Sequence, residues 1–191
     1  MFSINDVMND GLLWIDVETT GTGEDSLLLE VAMQSTDMYG MIMDSGCHAV
    51  IHHDTVPDSI MDDTVKDMHT RNGLLDEVVH AGISSEEASH LFREYVDKSS
   101  RRFDVMYLAG YTVSFDRMMI QRMLPGTIDD MQHRMVDVTA LNIIAEHFLH
   151  DFYKKADGKY TDHRSPHCIQ MEMDRYRYYI SGIMGMDMHR K

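Results

Sequence analysis

Two acidic residues stand two positions apart where an apolar run of the chain ends. Asp16 and Glu18 follow the apolar residues 12–15, and the turn-forming residues Thr-Thr-Gly occupy 19–21. Branched and aromatic side chains favour a strand, whose side chains alternate between faces, so both carboxylates point to one side about 6–7 Å apart. Ligands bind at strand ends of this kind in sheets flanked by helices. The pair therefore predicts a site for a divalent cation.

Three further segments carry polar residues in a recognisable order. Residues 68–75 read Met-His-Thr-Arg-Asn-Gly-Leu-Leu, residues 110–116 read Gly-Tyr-Thr-Val-Ser-Phe-Asp, and residues 134–141 read Arg-Met-Val-Asp-Val-Thr-Ala-Leu. With Trp-Ile-Asp-Val-Glu at 14–18, these segments resemble the motifs of the oligoribonuclease family. That family belongs to the DEDDh exonucleases, which use four acids and a histidine on a ribonuclease H-like fold.

The family's third motif places a histidine five residues before the last acid, and this chain offers more than one register. His167 followed by Glu172 has that spacing and ends in an acid, whereas His163 counted forward reaches Cys168. We therefore predict His167 and Glu172, with Asp174 as a reserve ligand and His163 as the next candidate histidine. A glutamate is one methylene longer than the usual aspartate, and a misplacement of about 1 Å can cost roughly 100-fold in rate.

The resemblance implies a 3′→5′ exoribonuclease that releases nucleoside 5′-monophosphates from short RNA. Phosphodiester hydrolysis needs an activated water and neutralised oxygens, which two cations about 3.5–4 Å apart can provide. Carboxylates suit Mg²⁺ or Mn²⁺. His167 is predicted to accept the proton of the water, because imidazole titrates near neutral pH, although a surface histidine remains an alternative. The predicted metal ligands are Asp16, Glu18, Asp116 and Glu172.

The same resemblance implies contacts to the terminal phosphate of the substrate. The residues concerned are His69, Thr112, Arg134 and Thr139, the last two contributed by the partner of a homodimer. For the two threonines, helix capping is an alternative role. The family's leucine and tyrosine that wedge the bases are replaced here by Thr22 and His133. A preference for dinucleotides is therefore not predicted from these two positions.

Charge and composition restrict the class of protein. The chain has 191 residues, of which 43% are hydrophobic and 26% charged, and it carries 17 basic against 32 acidic residues for a net charge of −15. Proteins that track along polymeric nucleic acid need basic residues for the phosphates, so short oligonucleotides are the favoured partner. Two cysteines do not form a disulfide framework. The chain shows neither a spanning apolar run nor a secretory signal, which predicts a cytoplasmic protein without a membrane partner.

The pattern of the chain predicts one exonuclease domain over 1–191, with a core at about 11–184. Strands are predicted at 12–17, 28–36, 41–51, 105–109 and 135–138, the second and third joined by a hairpin turn at 38–40. Ser84 and Glu87 form a capping box that opens a helix, and further helices are predicted at 114–123, 139–148 and about 166–183. Ser165 is the predicted cap of the last helix, with Pro166 at its first position.

This order predicts an α/β protein with a ribonuclease H-like mixed five-stranded sheet, a three-stranded antiparallel meander plus parallel strands, flanked by helices. Two alternatives to an exoribonuclease stay open at this point. One is a proofreading-type 3′→5′ exodeoxyribonuclease of the same group, against which the segments at 68–75 and 134–141 argue. The other is a degenerate relative that binds short oligonucleotides without cutting them, because Glu172 departs from the usual aspartate.

Overall fold

A five-stranded mixed sheet forms the centre of the molecule. The structure is a computed structural model that describes residues 9–156 and 161–185. The strands lie in the order β3-β2-β1-β4-β5; β1 pairs antiparallel with β2 and β2 with β3, whereas β4 runs parallel to β1 and β5 to β4. Their bounds are Gly11–Thr19, Leu28–Asp37, Cys47–Val50, Met106–Gly110 and Met135–Asp137 for β1 to β5. The predicted meander and the predicted parallel strands are both confirmed.

Helices cover both faces of this sheet. In chain order α1 to α7 span Asp63–Arg71, Leu74–His80, Ser85–Ser100, Val113–Met123, Val138–Phe148, His150–Ala156 and Ser165–Ile183. The capping box predicted for α3 is present, since the Ser84 hydroxyl accepts from the Glu87 amide and the Glu87 carboxylate accepts from the Ser84 amide. Within the described ranges, no helix combines the length and the apolar content needed to cross a bilayer.

The central strand β1 divides the interior into two apolar layers. Leu13 and Ile15 pack with α3 and α4, whereas Leu12 and Trp14 pack with α5 to α7 on the other side. The Trp14 indole donates to the Thr36 hydroxyl at 2.9 Å and meets the Tyr176 ring of α7 edge to face. Strand alternation therefore directs Asp16 and Glu18, which continue the Leu12 and Trp14 series, to the face that α7 covers.

The third strand is shorter than the sequence pattern predicts. A strand was expected over 41–51, but β3 occupies Cys47–Val50 and only an isolated bridge joins Thr36 to Ile42 before it. Asp44 turns inward within the intervening segment, where it accepts hydrogen bonds from Ser35, Tyr95 and Arg102. A largely buried carboxylate that accepts these bonds, and others from Gln34 and the Gly46 amide, holds the chain in a loop. The alternating apolar pattern gives no sign of this.

Two helices in the first half lie where the sequence analysis predicts no element. The Asp62 side chain caps α1 by accepting from the Val65 amide, and Gly73 in the left-handed region separates α1 from α2. The expected cap of α7 also differs, because Ser165 is its first residue and Arg164 holds the capping position without a side-chain bond. Instead, Glu30 of β2 accepts a hydrogen bond from the Ser165 amide at 2.8 Å. A distant residue caps this helix, which local sequence cannot show.

Candidate active site

The carboxylates of Asp16 and Glu18 lie at the carboxyl end of β1, beneath α7. Glu18 is 8% exposed, and Asp16 is half-buried with its Oδ2 atom fully enclosed. No hydrogen bond within the described residues satisfies that oxygen, although the Ser165 side chain is near enough to lower the pKa of Asp16. An enclosed carboxylate oxygen without a hydrogen bond is costly unless a cation compensates it, so this position fits a metal ligand.

Asp116 joins this pair from the helix that follows β4. Pairing between β1 and β4 ends at Trp14 and Ala109, and beyond it Asp116 Oδ1 accepts a hydrogen bond from the Val17 amide at 3.0 Å. The Val17 amide, which lies between Asp16 and Glu18, is thus satisfied by Asp116. The split between the two parallel strands creates the space in which these carboxylates meet.

The third element of the site is α7, which contributes two residues from one face. Cys168 and Glu172 stand four residues apart, about 40° around the helix, and both are buried. The Tyr111 amide lies near enough to the Glu172 carboxylate to lower its pKa, while the Oε2 atom of Glu172 has no donor within the described part of the chain. Gly110 permits this approach, because a Cβ atom there would lie 2.8 Å from the Ile15 carbonyl and 3.4 Å from Glu172 Oε2.

Burial and mutual repulsion raise the pKa of all four acids. Burial raises the pKa of Asp116 to about 7, and burial together with Glu30 raises that of Glu18 to about 8. For Asp16, burial comes first and the Glu172 charge second, and for Glu172 burial comes first and the Asp116 charge second; both pKa values lie well above their usual range. Four carboxylates this close cannot all ionise without cations, which is the electrostatic signature expected of a metal site.

The structure does not bring His167 to these acids. Its ring is 66% exposed and its Nδ1 atom contacts the Asp162 carboxylate at 2.9 Å. The geometry therefore does not place His167 at the site, because one residue before Cys168 lies about 100° around the helix from the buried face. Asp174, the reserve ligand, is also at the surface, where it contacts Gln170.

His163 takes the place expected of His167. One ligand atom each from Glu18, His163 and Cys168 can be chosen so that all lie within 4.8 Å of one another. His163 has a left-handed backbone with φ of 55°, and its carbonyl accepts from the Asn72 side chain while its amide donates to the Thr161 hydroxyl. Positive φ costs free energy in a residue other than glycine. The contacts with Asn72 and Thr161 therefore hold the His163 backbone in an unfavourable conformation.

A buried ion pair anchors the start of α7 and thereby the site. Glu30 lies opposite Glu18 on β2 and is fully buried, with its carboxylate 2.7 Å from Arg164 and 2.8 Å from His48. Arg164 also makes two bonds to Glu77 at 2.8 and 3.0 Å. Burial opposes ionisation of Glu30, but the bonds from His48 and Arg164 prevail and lower its pKa to about 2. Glu30 therefore stays charged beside the high-pKa acids.

Two of the predicted substrate-binding residues meet within one chain. The Thr112 and Thr139 hydroxyls lie 3.2 Å apart, and the Thr112 amide donates to Thr139 Oγ1 at 2.9 Å and to Asp137. Thr139 was expected to reach the site from a partner subunit, yet it contacts Thr112 of its own chain because β4 and β5 are adjacent parallel strands. Neither threonine caps its helix with a side-chain bond; Asp137 caps α5.

The other two, His69 and Arg134, differ in burial. His69 is fully buried in α1, with Nε2 3.1 Å from the Thr19 carbonyl and 3.8 Å from Glu18 Oε2. Arg134 is exposed, and its guanidinium lies 5.6 Å from the centre of the Tyr107 ring. Thr22 and His133 are exposed as well.

Sequence reasoning missed three contributors to the site, Cys168, Glu30 and Arg164, and ranked His163 below His167. His163 with Cys168 carries the five-residue spacing of the third motif, but the cysteine is no acid and the pair was placed second. The periodicity of α7 would have favoured it, since Cys168 and Glu172 share a face. Glu30 and Arg164 act through an ion pair between residues 134 positions apart, for which the sequence carries no local signal.

Comparison with known proteins relates the whole chain to a family of nucleases. No family model matches the chain. Oligoribonuclease of Mycobacterium leprae (strain TN) is 33% identical over 174 residues, which cover 90% of this chain and 80% of the relative. Oligoribonuclease of Tropheryma whipplei (strain Twist) is 31% identical over 169 residues, covering 88% of this chain and 90% of that protein.

Solved structures share the fold at much lower identity. A product-bound exonuclease I superposes with a TM-score of 0.65 at 13% identity, covering 91% of this chain but only 44% of that one. The RNase domain of the yeast Pop2 protein gives a TM-score of 0.61 at 14% identity, with 91% and 77% covered. These likenesses show the ribonuclease H-like fold of exonucleases. With a third of its residues identical over most of both chains, the protein belongs to the oligoribonuclease family.

Proposed function

We propose that the protein is a 3′→5′ exoribonuclease that degrades short RNA to nucleoside 5′-monophosphates. The observation that carries the proposal is the gathering of Asp16, Glu18, Asp116 and Glu172, whose pKa values are all raised and two of which keep an enclosed oxygen without a donor. Membership of the oligoribonuclease family supports RNA as the substrate.

These four carboxylates would hold two divalent cations of the Mg²⁺ or Mn²⁺ type. A solved structure of S. pombe Pop2p, which shares the fold at 9% identity, is described as a Mg²⁺- and Mn²⁺-bound form. When bound, such a pair neutralises the attacking and leaving oxygens of a phosphodiester. The protein holds these carboxylates on β1, α4 and α7, and the Val17 amide fixes Asp116 by a hydrogen bond.

His163, rather than His167, would accept the proton of the attacking water. Its ring lies beside Glu18 and Cys168 at the start of α7, whereas His167 is exposed and paired with Asp162. A general base must come within hydrogen-bonding reach of the water that it activates. Because both side chains are imidazoles, their positions determine that His163 and not His167 would act as the base.

Short RNA suits the ends of β4 and β5. His69 beside Glu18, the two hydroxyls of Thr112 and Thr139, and the exposed guanidinium of Arg134 would bind the terminal nucleotide and its phosphate. Few phosphates need neutralising in such a substrate, in keeping with a net charge of −15.

We also propose a homodimer, which would cover an apolar surface of α5 and the residue after it. Ile143, Ile144, Phe148 and Leu149 are between 51% and 80% exposed. Contiguous apolar side chains of this kind mark interaction surfaces. Light scattering at micromolar concentration should give the mass of two chains, and Phe148→Asp should reduce it. A monomeric wild-type mass with activity retained would contradict the dimer.

The substrate is tested with three 5′-labelled molecules, each incubated with Mn²⁺ and with chelator. An RNA dinucleotide, a 20-residue RNA and a single-stranded DNA separate the classes. The proposal expects fast cleavage of the dinucleotide, slow cleavage of the long RNA, and none with chelator. Preferential cleavage of the DNA would identify a proofreading-type exodeoxyribonuclease instead, and binding without any cleavage a degenerate relative.

A further inference from the structure

One feature of the site has no place in a cluster of hard oxygen ligands. Cys168 lies on the buried face of α7, and its Sγ atom is 3.7 Å from Glu18 Oε1. His163 completes a group of three different ligand types, with one atom of each within 4.8 Å of the others. Four carboxylates would serve Mg²⁺, but a thiol beside an imidazole and a carboxylate offers soft and borderline donors.

The separation of the sulfur and carboxylate ligand atoms fits the coordination sphere of a small tetrahedral cation. Zinc binds sulfur at about 2.3 Å and carboxylate oxygen at about 2.0 Å, which places the two donor atoms roughly 3.5 Å apart in a tetrahedron. The Sγ to Oε1 distance of 3.7 Å is close to that value without any movement of the backbone. Three protein ligands leave the fourth position open to water or to a substrate oxygen.

Neighbouring side chains hold this arrangement in place. The Thr161 hydroxyl lies 3.1 Å from Cys168 Sγ and also accepts the His163 amide at 2.8 Å, so one residue contacts both candidate ligands. The Asn72 side chain donates to the His163 carbonyl at 2.8 Å. Outer contacts of this kind orient ligands and strengthen metal binding about 10- to 100-fold.

We propose that Glu18, His163 and Cys168 form a site for a thiophilic divalent cation of the zinc type, and that its occupation takes His163 out of hydrolysis. Binding forms the metal–sulfur bond and releases the thiol proton to solvent, with no change of oxidation state. The proposal that cation binding inhibits hydrolysis rests on the proposed function, because it assumes that the His163 ring must accept the proton of water. The proposal that the three residues bind a cation does not depend on that function.

Cobalt(II) is the probe for binding, because a cobalt–thiolate bond absorbs in the near ultraviolet where oxygen and nitrogen ligands do not. We expect this absorption to reach a plateau as Co²⁺ is added to the wild type, with the intensity of a single cobalt–thiolate bond, and to disappear on addition of Zn²⁺. Cys168→Ser and Cys168→Ala should abolish it, with circular dichroism verifying the fold of each. Cys47→Ser is the matched control, since Cys47 lies on β3 away from this group and should leave the band unchanged.

The activity arm uses Mn²⁺-supported cleavage of an RNA dinucleotide with increasing Zn²⁺. We expect Zn²⁺ to inhibit the wild type and Cys47→Ser alike, and Cys168→Asp to need more than about 10-fold higher Zn²⁺ for the same fractional inhibition. A cobalt–thiolate band in a protein that cleaves nothing would uphold the cation site and overturn the proposed function. Cleavage with no such band, or a band that survives in Cys168→Ser, would overturn the cation site and leave the proposed function intact.

Discussion

At the scale of single residues, the site depends on which histidine faces the acids. His163 is held in the left-handed region at the start of α7, and His167 points to solvent from the first turn. We expect His163→Ala to lower kcat by roughly 100- to 10,000-fold, the usual cost of losing a general base, with little change in KM. His167→Ala should retain most of the rate, since its ring contacts only Asp162 among the described groups.

Metal binding separates a base from a merely structural residue. Neither alanine variant removes one of the four acids, so we expect the Mn²⁺ affinity measured by calorimetry and the circular dichroism spectrum to match the wild type in both. Equal loss of rate in the two variants, or weakened Mn²⁺ binding in His163→Ala, would refute the assignment of His163 as the base.

A second pair of variants tests the acid on α7. Glu172 is 2% exposed and faces Asp16, whereas Asp174 lies two residues further and is exposed. We expect Glu172→Gln to weaken Mn²⁺ binding and cleavage by more than about 10-fold, because it removes a charged ligand. Asp174→Asn, the matched control, should change little in either the Mn²⁺ affinity measured by calorimetry or the rate of cleavage. The reverse order would show that α7 presents a different face to the site.

At the scale of elements, the ion pair between β2 and α7 sets the position of both Cys168 and Glu172. Arg164→Met would leave the fully buried Glu30 carboxylate with only His48 and the Ser165 amide. Loss of one partner from a buried pair costs about 3–5 kcal/mol, so we expect a loss of about 3 kcal/mol in the free energy of unfolding by urea. Glu77→Gln removes the half-exposed partner and should cost no more than about 1 kcal/mol. Equal stability of the two variants would contradict the anchoring role.

The elements differ in how far local sequence determines them. β1 and α3 are predictable because apolar alternation and a capping box are signals carried within a few residues. The loop at 41–46 is not predictable from local sequence. Hydrogen bonds from Tyr95 and Arg102, which lie far along the chain, hold Asp44 in its inward position. Helix α1 has few apolar residues, and His69 is its one buried residue, so its pattern is weak.

The site shows the same division. Asp16, Glu18 and Asp116 follow from motif spacing and lie together as the spacing suggests. The identity of the histidine does not follow from motif spacing. The choice between His163 and His167 depends on where α7 begins, and Glu30, a distant residue, sets that point.

At the scale of the whole molecule, the clustered acids make stability depend on pH and on cations. Asp116 and Glu18 have folded pKa values of about 7 and 8, above those of the unfolded chain. A folded state that binds more protons loses stability as pH rises, here between about pH 4 and pH 8. The low pKa values of Glu30 and Asp44 act in the opposite direction, but only below about pH 4.5.

We therefore expect the metal-free protein to have a lower Tm at pH 8 than at pH 5.5, by about 4–8 °C for an effect of roughly 2 kcal/mol. Mn²⁺ should raise Tm more at pH 8 than at pH 5.5, because it replaces protons on the same oxygens. Calorimetry of the wild type and of Asp116→Asn measures this, and the variant should show the smaller pH dependence. A Tm that rises with pH in the metal-free wild type would show that the acids are not coupled as described.

The central claim is that this acid cluster removes nucleotides from the 3′ end of RNA. Its most direct measurement follows a five-residue RNA labelled at the 5′ end, with Mn²⁺, in the wild type and in Asp16→Asn. We expect a ladder that shortens one nucleotide at a time in the wild type, release of nucleoside 5′-monophosphates, and no shortening in Asp16→Asn although it remains folded. Immediate release of the labelled 5′ nucleotide would contradict this claim. So would an Asp16→Asn variant that shortens the RNA in the same ladder as the wild type.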